Sequence, residues 1–150
     1  MNLTKLRTKT ILIIGSDGTI GSELMLSLKK NKLVAFGTTR RPIIHRSNKI
    51  FLDLSDKDSF DKVLNKKFDY VFICSGISNI LKCENNPEET RLINVINTVE
   101  IAKKLGERGS HIIYLSSNRV FDPDIKIINN KEELNPKTEY GKQKADCELL

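Results

Sequence analysis

Thr10-Ile11-Leu12-Ile13-Ile14-Gly15-Ser16-Asp17-Gly18-Thr19-Ile20-Gly21 decides the fold: five strand-forming residues run straight into a glycine-rich turn, and a helical pattern opens behind it. A strand this uniformly apolar is buried on both faces, which calls for a parallel sheet covered by helices. In the helix that follows, expected over Thr19–Lys30, Ile20, Leu24 and Leu28 share one face. Glycine, lacking a Cβ, lets the chain turn tightly and lets the backbone approach a pyrophosphate, which unpaired N–H groups at the helix start can then hold. Plain turn glycines are the alternative.

Outward from this stretch the same alternation continues. Strands are expected at Leu33–Gly37, Lys49–Leu52, Tyr70–Cys74 and His111–Ser116. Ser55, with Asp58 three residues on, has the spacing of an N-cap for a helix carrying Phe60, Val63 and Leu64. A polar loop to Pro87, a helix from about Glu88 to Leu105, a long polar loop from Asn118 to Pro136 and a helix from about Lys137 to the last residue complete the pattern. Right-handed crossovers then give a doubly wound α/β sheet of Rossmann type in the order 3-2-1-4-5, with the ligand crevice outside the carboxyl ends of strands one and four. One domain over residues 1–150 is expected.

Composition agrees with a soluble globular chain: of 150 residues, 39% are hydrophobic and 29% charged. No apolar run approaches the ~18 residues of a membrane span. Lys5, Arg7 and Lys9 precede Ile11 as in a signal peptide, but the apolar stretch stops at Gly15, so a cytoplasmic location is expected and no membrane partner. Cys74, Cys83 and Cys147 lack metal-ligand or disulfide spacing, and His45 and His111 stand alone, so no metal site is expected. The first fifty residues carry ten basic residues against two acidic ones, yet without aromatic interleaving or a reader motif, which disfavours nucleic acid and suits a small phosphorylated ligand.

At the end of strand two, where an acidic residue would accept from the ribose hydroxyls of NAD, the chain has Thr38-Thr39-Arg40-Arg41. NADP is therefore favoured over NAD, with Arg40 or Arg41 on the 2′-phosphate; a solvated basic loop is the alternative. Asp53-Leu54 closes strand three, and the Asp53 carboxylate could serve an adenine amino group or cap a helix. In the last helix the i to i+4 spacing puts Tyr140 and Lys144 on one face, where an ammonium can stabilise a phenolate and make tyrosine an acid/base. The buried strand from His111 ends in Ser116-Ser117, whose hydroxyls can face the same crevice or simply begin a loop.

Taken in order, these features resemble the extended short-chain dehydrogenase/reductase family, in its nucleotide-sugar epimerases, dehydratases and reductases. The resemblance covers residues 10–150: Gly15, Gly18 and Gly21; Asp53-Leu54; Cys74-Ser75-Gly76, with cysteine where alanine or histidine is usual; Pro87 before Asn94-Val95; Ser116-Ser117 before Val120-Phe121; and Pro136, Tyr140, Lys144 and Glu148. It implies that Ser117 orients substrate, Tyr140 is the acid/base and Lys144 holds both the ribose and the tyrosine. It also implies cofactor contacts from Gly15, Asp17, Gly18, Thr19, Ile20, Gly21, Asp53, Leu54, Ser75, Gly76 and Asn94. Ser116 to Asp122 looks most like the dTDP-4-dehydrorhamnose reductase branch, and the Arg40-Arg41 pair like NADP-using dehydratases.

Family members run on past this helix into further strands and a helical substrate domain, so the chain is expected to be the cofactor-binding part. The expected function is hydride transfer on a nucleotide-activated sugar. The alternative is a cofactor-binding fragment without turnover, self-associating through the edge of its fifth strand, a homodimer at the simplest. A larger residue such as valine at Gly18 or Gly21 is expected to weaken cofactor binding and spare the fold.

Overall fold

A computed structural model describes residues 8–42, 48–129 and 131–150. Lys5, Arg7 and His45 lie outside them. The chain divides into two compact units, Met1–Ser75 with Glu100–Leu115, and Gly76–Val99 with Ser116–Leu150.

The first unit is built around β1 (Thr10–Ile14), whose Ile11, Leu12, Ile13 and Ile14 are at most 3% exposed. It is followed by α1 (Thr19–Lys30), β2 (Val34–Thr39), β3 (Lys49–Phe51), a 3₁₀ turn (Lys57–Phe60) running into α2 (Asp61–Leu64), β4 (Tyr70–Ile73) and, later, β5 (His111–Tyr114). All pairings are parallel and the order is β3-β2-β1-β4-β5, an open sheet as the apolar runs require. β1 is central: Ile11 pairs with Ala35 on one side and Tyr70 on the other. Asp69 fastens the start of this pairing, accepting from Lys9 Nζ at 2.7 Å and from the Thr10 backbone N–H at 2.8 Å. Phe60, Val63, Leu64 and Phe68 fill the core.

Boundaries shift where side chains compete with the pattern. β2 begins at Val34 and runs on to Thr39, because Leu52 N donates to Thr39 O and extends the pairing with β3. The turn before α2 is capped by Asp56, which accepts from Asp58 N, rather than by Ser55, whose own N–H and hydroxyl donate to Asp53.

In the second unit, the segment expected to be a polar loop holds a helix, α3 (Ile80–Asn85). Its N-cap Asn79 accepts from Lys82 N, and Cys83 is buried. The helix expected from Glu88 is α4 (Pro87–Arg91), then a π-helical stretch, Leu92–Asn97, then α5 (Thr98–Glu107), which carries the chain back into the first unit. A 3₁₀ turn (Asn118–Val120) follows β5, and α6 (Glu139–Leu149) starts two residues later than expected because Thr138 caps it, accepting from Gly141 N. Among the described residues no helix is long and apolar enough to cross a membrane.

Candidate functional site

The glycine loop sits at the carboxyl end of β1, beside the place where the sheet order reverses. Gly15 has φ +87, and a Cβ there would lie 2.7 Å from Ser75 N, so only glycine fits against the end of β4. Gly18 N donates to Gly15 O at 3.1 Å, closing the turn. Two bonds tie the loop to β2: Gly15 N donates to Thr38 Oγ1 at 2.9 Å, and Ser16 Oγ donates to Thr38 O at 2.8 Å.

Gly18 is the N-cap of α1 and contributes no side-chain cap, and no acidic residue occupies the first turn. The starting N–H groups of a twelve-residue helix therefore face outward without a side-chain acceptor. A Cβ on Gly18 would meet only Gly15 O, at 3.5 Å, so the cradle in front of these groups is open. Gly21 is different. Its Cβ would fall 2.3 Å from Gly15 O and 2.9 Å from Ser16 Cα, so a side chain there pries helix from loop. The expectation that Gly21 can be enlarged without harm to the fold is corrected on that ground.

Ser75 Oγ, at the end of β4, is buried and has no hydrogen-bond partner. A buried hydroxyl left unmatched costs free energy, and one standing beside an open anion cradle suits a ligand that completes it. Cations gather nearby: Lys49, at the start of β3, is 12% exposed and donates to Ser16 Oγ at 2.6 Å and Asp17 Oδ1 at 2.8 Å. Thr39 Oγ1 donates to Asp17 Oδ2 at 2.5 Å, and Arg41 Nε lies 4.0 Å from the same oxygen. Burial pushes the Asp17 carboxyl up, but the bonds from Lys49 and Thr39 and the charges of Lys49 and Arg41 outweigh it and hold it below its ordinary value. The donor set and the open cradle fit the pyrophosphate and ribose of a dinucleotide. Among the described residues no group of three or more His, Cys, Asp or Glu is placed to hold a metal ion.

Asp53 stands at the end of β3, where its Oδ1 accepts from Ser55 N at 2.9 Å and Ser55 Oγ at 2.8 Å. Those bonds, with the charge of Arg40, hold its carboxyl below the usual range despite partial burial. One of its oxygens is thereby engaged in a local turn. Thr19 and Ile20, the first residues of α1, are exposed, and Leu54 is buried in the core.

The second unit holds the remaining residues. Tyr140 and Lys144 are one turn apart on α6, Tyr140 half-buried and Lys144 7% exposed. Ser117 caps the 3₁₀ turn, its Oγ accepting from Arg119 N at 3.2 Å. Ser116 Oγ donates to Glu148 on α6. Asn94, in the π-helical stretch, uses its amide within the protein: Oδ1 accepts from Ile77 N at 2.7 Å, and Nδ2 donates to Ile77 O at 3.0 Å and Gln143 Oε1 at 2.8 Å. Asn94 thereby fixes the chain just after Gly76, whose φ is +149.

Sequence reading missed two groups. Lys49 is thirty-two residues from Asp17 and bonds to it only because β3 lies beside β2. Gln143, fully buried, donates to Thr90 Oγ1 at 3.0 Å and Glu139 Oε1 at 3.1 Å; its place between Tyr140 and Lys144 was the available signal.

Comparison with known proteins adds a family and several relatives. The family model described as "RmlD substrate binding domain" matches residues 9–150. The solved structure of a dTDP-4-dehydrorhamnose reductase from Clostridium acetobutylicum is 29% identical with a TM-score of 0.80, over 93% of this chain and 48% of that one. A hypothetical dTDP-4-dehydrorhamnose reductase from Sulfolobus tokodaii is 25% identical with a TM-score of 0.83, over 93% of this chain and 50% of that one. Among curated proteins, methionine adenosyltransferase 2 subunit beta of Xenopus tropicalis is 28% identical over 141 residues, 91% of this chain and 41% of the relative. The chain thus spans about half the length of the proteins it matches.

Proposed function

The chain belongs to the RmlD substrate binding domain family, within the extended short-chain dehydrogenases/reductases, and we propose that it is the dinucleotide-holding part of an oxidoreductase acting on a nucleotide-activated sugar. One observation carries this reading: the cradle that opens at Gly18, in a turn closed by Gly15 and Gly21, lies beside an unmatched Ser75 hydroxyl and a set of cations.

A bound nicotinamide dinucleotide supplies hydride chemistry that no side chain offers. The chain's own residues bind, orient and move protons. The N–H groups at the start of α1 hold the pyrophosphate, and Ser75 Oγ gains the partner it lacks. Arg40 and Arg41 take the ribose 2′-phosphate, which makes NADP the favoured form. On α6 the Tyr140 hydroxyl gives or takes the proton at the sugar oxygen, Lys144 supports its anionic form through charge, and Ser117 Oγ orients the substrate oxygen.

A second reading is favoured by those curated relatives that are named as a subunit of methionine adenosyltransferase. In it the same cradle holds a dinucleotide for structural reasons within a larger assembly, without turnover. Turnover of a nucleotide-4-keto-sugar in the presence of NADPH selects the first reading, and cofactor binding with no turnover selects the second.

Fluorescence titration with NADPH and NADH tests what both readings share. NADPH is expected to bind more tightly, and Arg40→Ala with Arg41→Ala to lose a factor of about ten to a hundred for NADPH, the worth of a charge-assisted pair. Failure of both nucleotides to bind would overturn the dinucleotide reading.

A further inference from the structure

The carboxylate that β2 lacks at its end reaches the same place from the glycine loop. Asp17 extends to Thr39, the last residue of β2, and to Lys49, the first residue of β3, while Arg41 stands 4.0 Å away in the run that leaves β2. Two donors and a more distant guanidinium converge on one small anion. Lys49 is the least exposed of the charged partners, and its other bond goes to Ser16 Oγ, so its ammonium is held in one place. Arg40 adds further positive charge, enough to act on Asp53. Around a single Asp17 charge the cluster therefore has cations to spare, which is the composition of an anion site partly filled by the protein itself.

We propose that Asp17 sets nucleotide specificity at the ribose end of this site: its carboxylate stands in for the 2′-phosphate on Lys49 and Thr39, and NADP must displace it, whereas the free ribose hydroxyl of NAD can donate to it. This rests on the dinucleotide reading above and deepens it. A phosphate carrying close to two negative charges competes with the carboxylate for both groups: the Thr39 hydroxyl has one proton to give, and at Lys49 the two anions repel each other. Once the carboxylate has turned away, Lys49, Thr39, Arg40 and Arg41 all face the phosphate. Asp17 thus narrows a preference for NADP that the arginines and Lys49 create.

Isothermal titration with NADP⁺ and NAD⁺ separates the parts. Asp17→Asn keeps the shape and removes the charge; it is expected to tighten NADP⁺ about tenfold and to leave NAD⁺ unchanged or weaker, the scale of one charge-assisted contact. Lys49→Met should weaken NADP⁺ by about the same factor, and more than it weakens NAD⁺. Asp17→Ser provides the same readout if the asparagine variant does not fold. If both nucleotides bind the wild-type chain and their affinity ratio is the same in the Asp17 variants, the specificity role is overturned while the dinucleotide reading stands. If neither binds the wild-type chain, that reading falls and takes this one with it.

Discussion

Substituting alanine at Gly21 and at Gly18 should produce opposite lesions in one loop. At Gly21 the added Cβ would sit 2.3 Å from Gly15 O and 2.9 Å from Gly15 C, against the 3.4 Å at which ordinary contact begins. Both neighbours are backbone in a closed turn, so α1 must move by about an ångström, and overpacking of this kind costs ~1–3 kcal/mol. Alanine recovers up to ~1 kcal/mol in helix propensity; with a clash this close the cost lies at the upper end of that range, which leaves a net loss of about 2 kcal/mol. For a chain of this length each kcal/mol lowers the unfolding midpoint by ~2–4 °C, so a drop of about 5 °C is expected. Gly18 has φ −80 and ψ 168, which alanine adopts without strain, and its Cβ would make one contact at 3.5 Å. Stability should stay within ~0.5 kcal/mol, while the methyl group intrudes on the cradle. The lost phosphate contacts are worth on the order of 1.5–3 kcal/mol, or about ten- to hundredfold in affinity. Thermal unfolding followed by far-ultraviolet circular dichroism, with NADPH titration of each folded variant, reads both effects. A Gly21→Ala protein as stable as wild type would refute the packing argument, and a Gly18→Ala protein with normal affinity would refute the cradle.

Bonds from Lys9 and Thr10 hold the Asp69 carboxyl well below its ordinary 3.8, at about 2. Its contribution is therefore complete above the unfolded value and is lost as pH falls through 3.8 towards 2. The pair is solvent-accessible, so the effect is small; urea midpoints at about pH 6 and about pH 2.5 should differ less in Asp69→Asn than in wild type, and equal differences would refute the linkage. In any form of the protein that turns over a nucleotide sugar, Tyr140→Phe should lower kcat by about 10²–10⁴-fold with cofactor affinity unchanged, as measured by steady-state kinetics beside cofactor titration. An unchanged kcat would remove Tyr140 from proton transfer.

The glycine loop was legible because two independent signals meet there: a strand buried on both faces, and glycines in the only places where Gly15 can turn and Gly21 can touch backbone. The Tyr140–Lys144 pair was legible because helical spacing is local. What escaped was short or distant. Ile80–Asn85 is a helix of six residues with one buried side chain, Cys83, too little for a period to show. Leu92–Asn97 reads as ordinary helix, since nothing in its pattern announces the wider turn. There Thr98 Oγ1 donates to Ile93 O at 2.8 Å. Asp17 and Lys49 meet only through the pairing of β2 with β3, a contact that spacing along the chain cannot reveal.

The central position of β1 has a consequence for how the chain acquires its shape. Ile11 to Ile14 are made before either neighbour, and Ala35 to Gly37 follow soon enough to pair with one edge, but the other edge waits for Tyr70 to Ile73. Loop closure over that separation must come before the contacts that reward it, so the topology favours slow, late consolidation. Until then the most apolar strand of the protein has one unsatisfied ladder, the state in which nascent chains associate or recruit chaperones. The strand that makes the fold recognisable is thus the one that leaves it most vulnerable during synthesis.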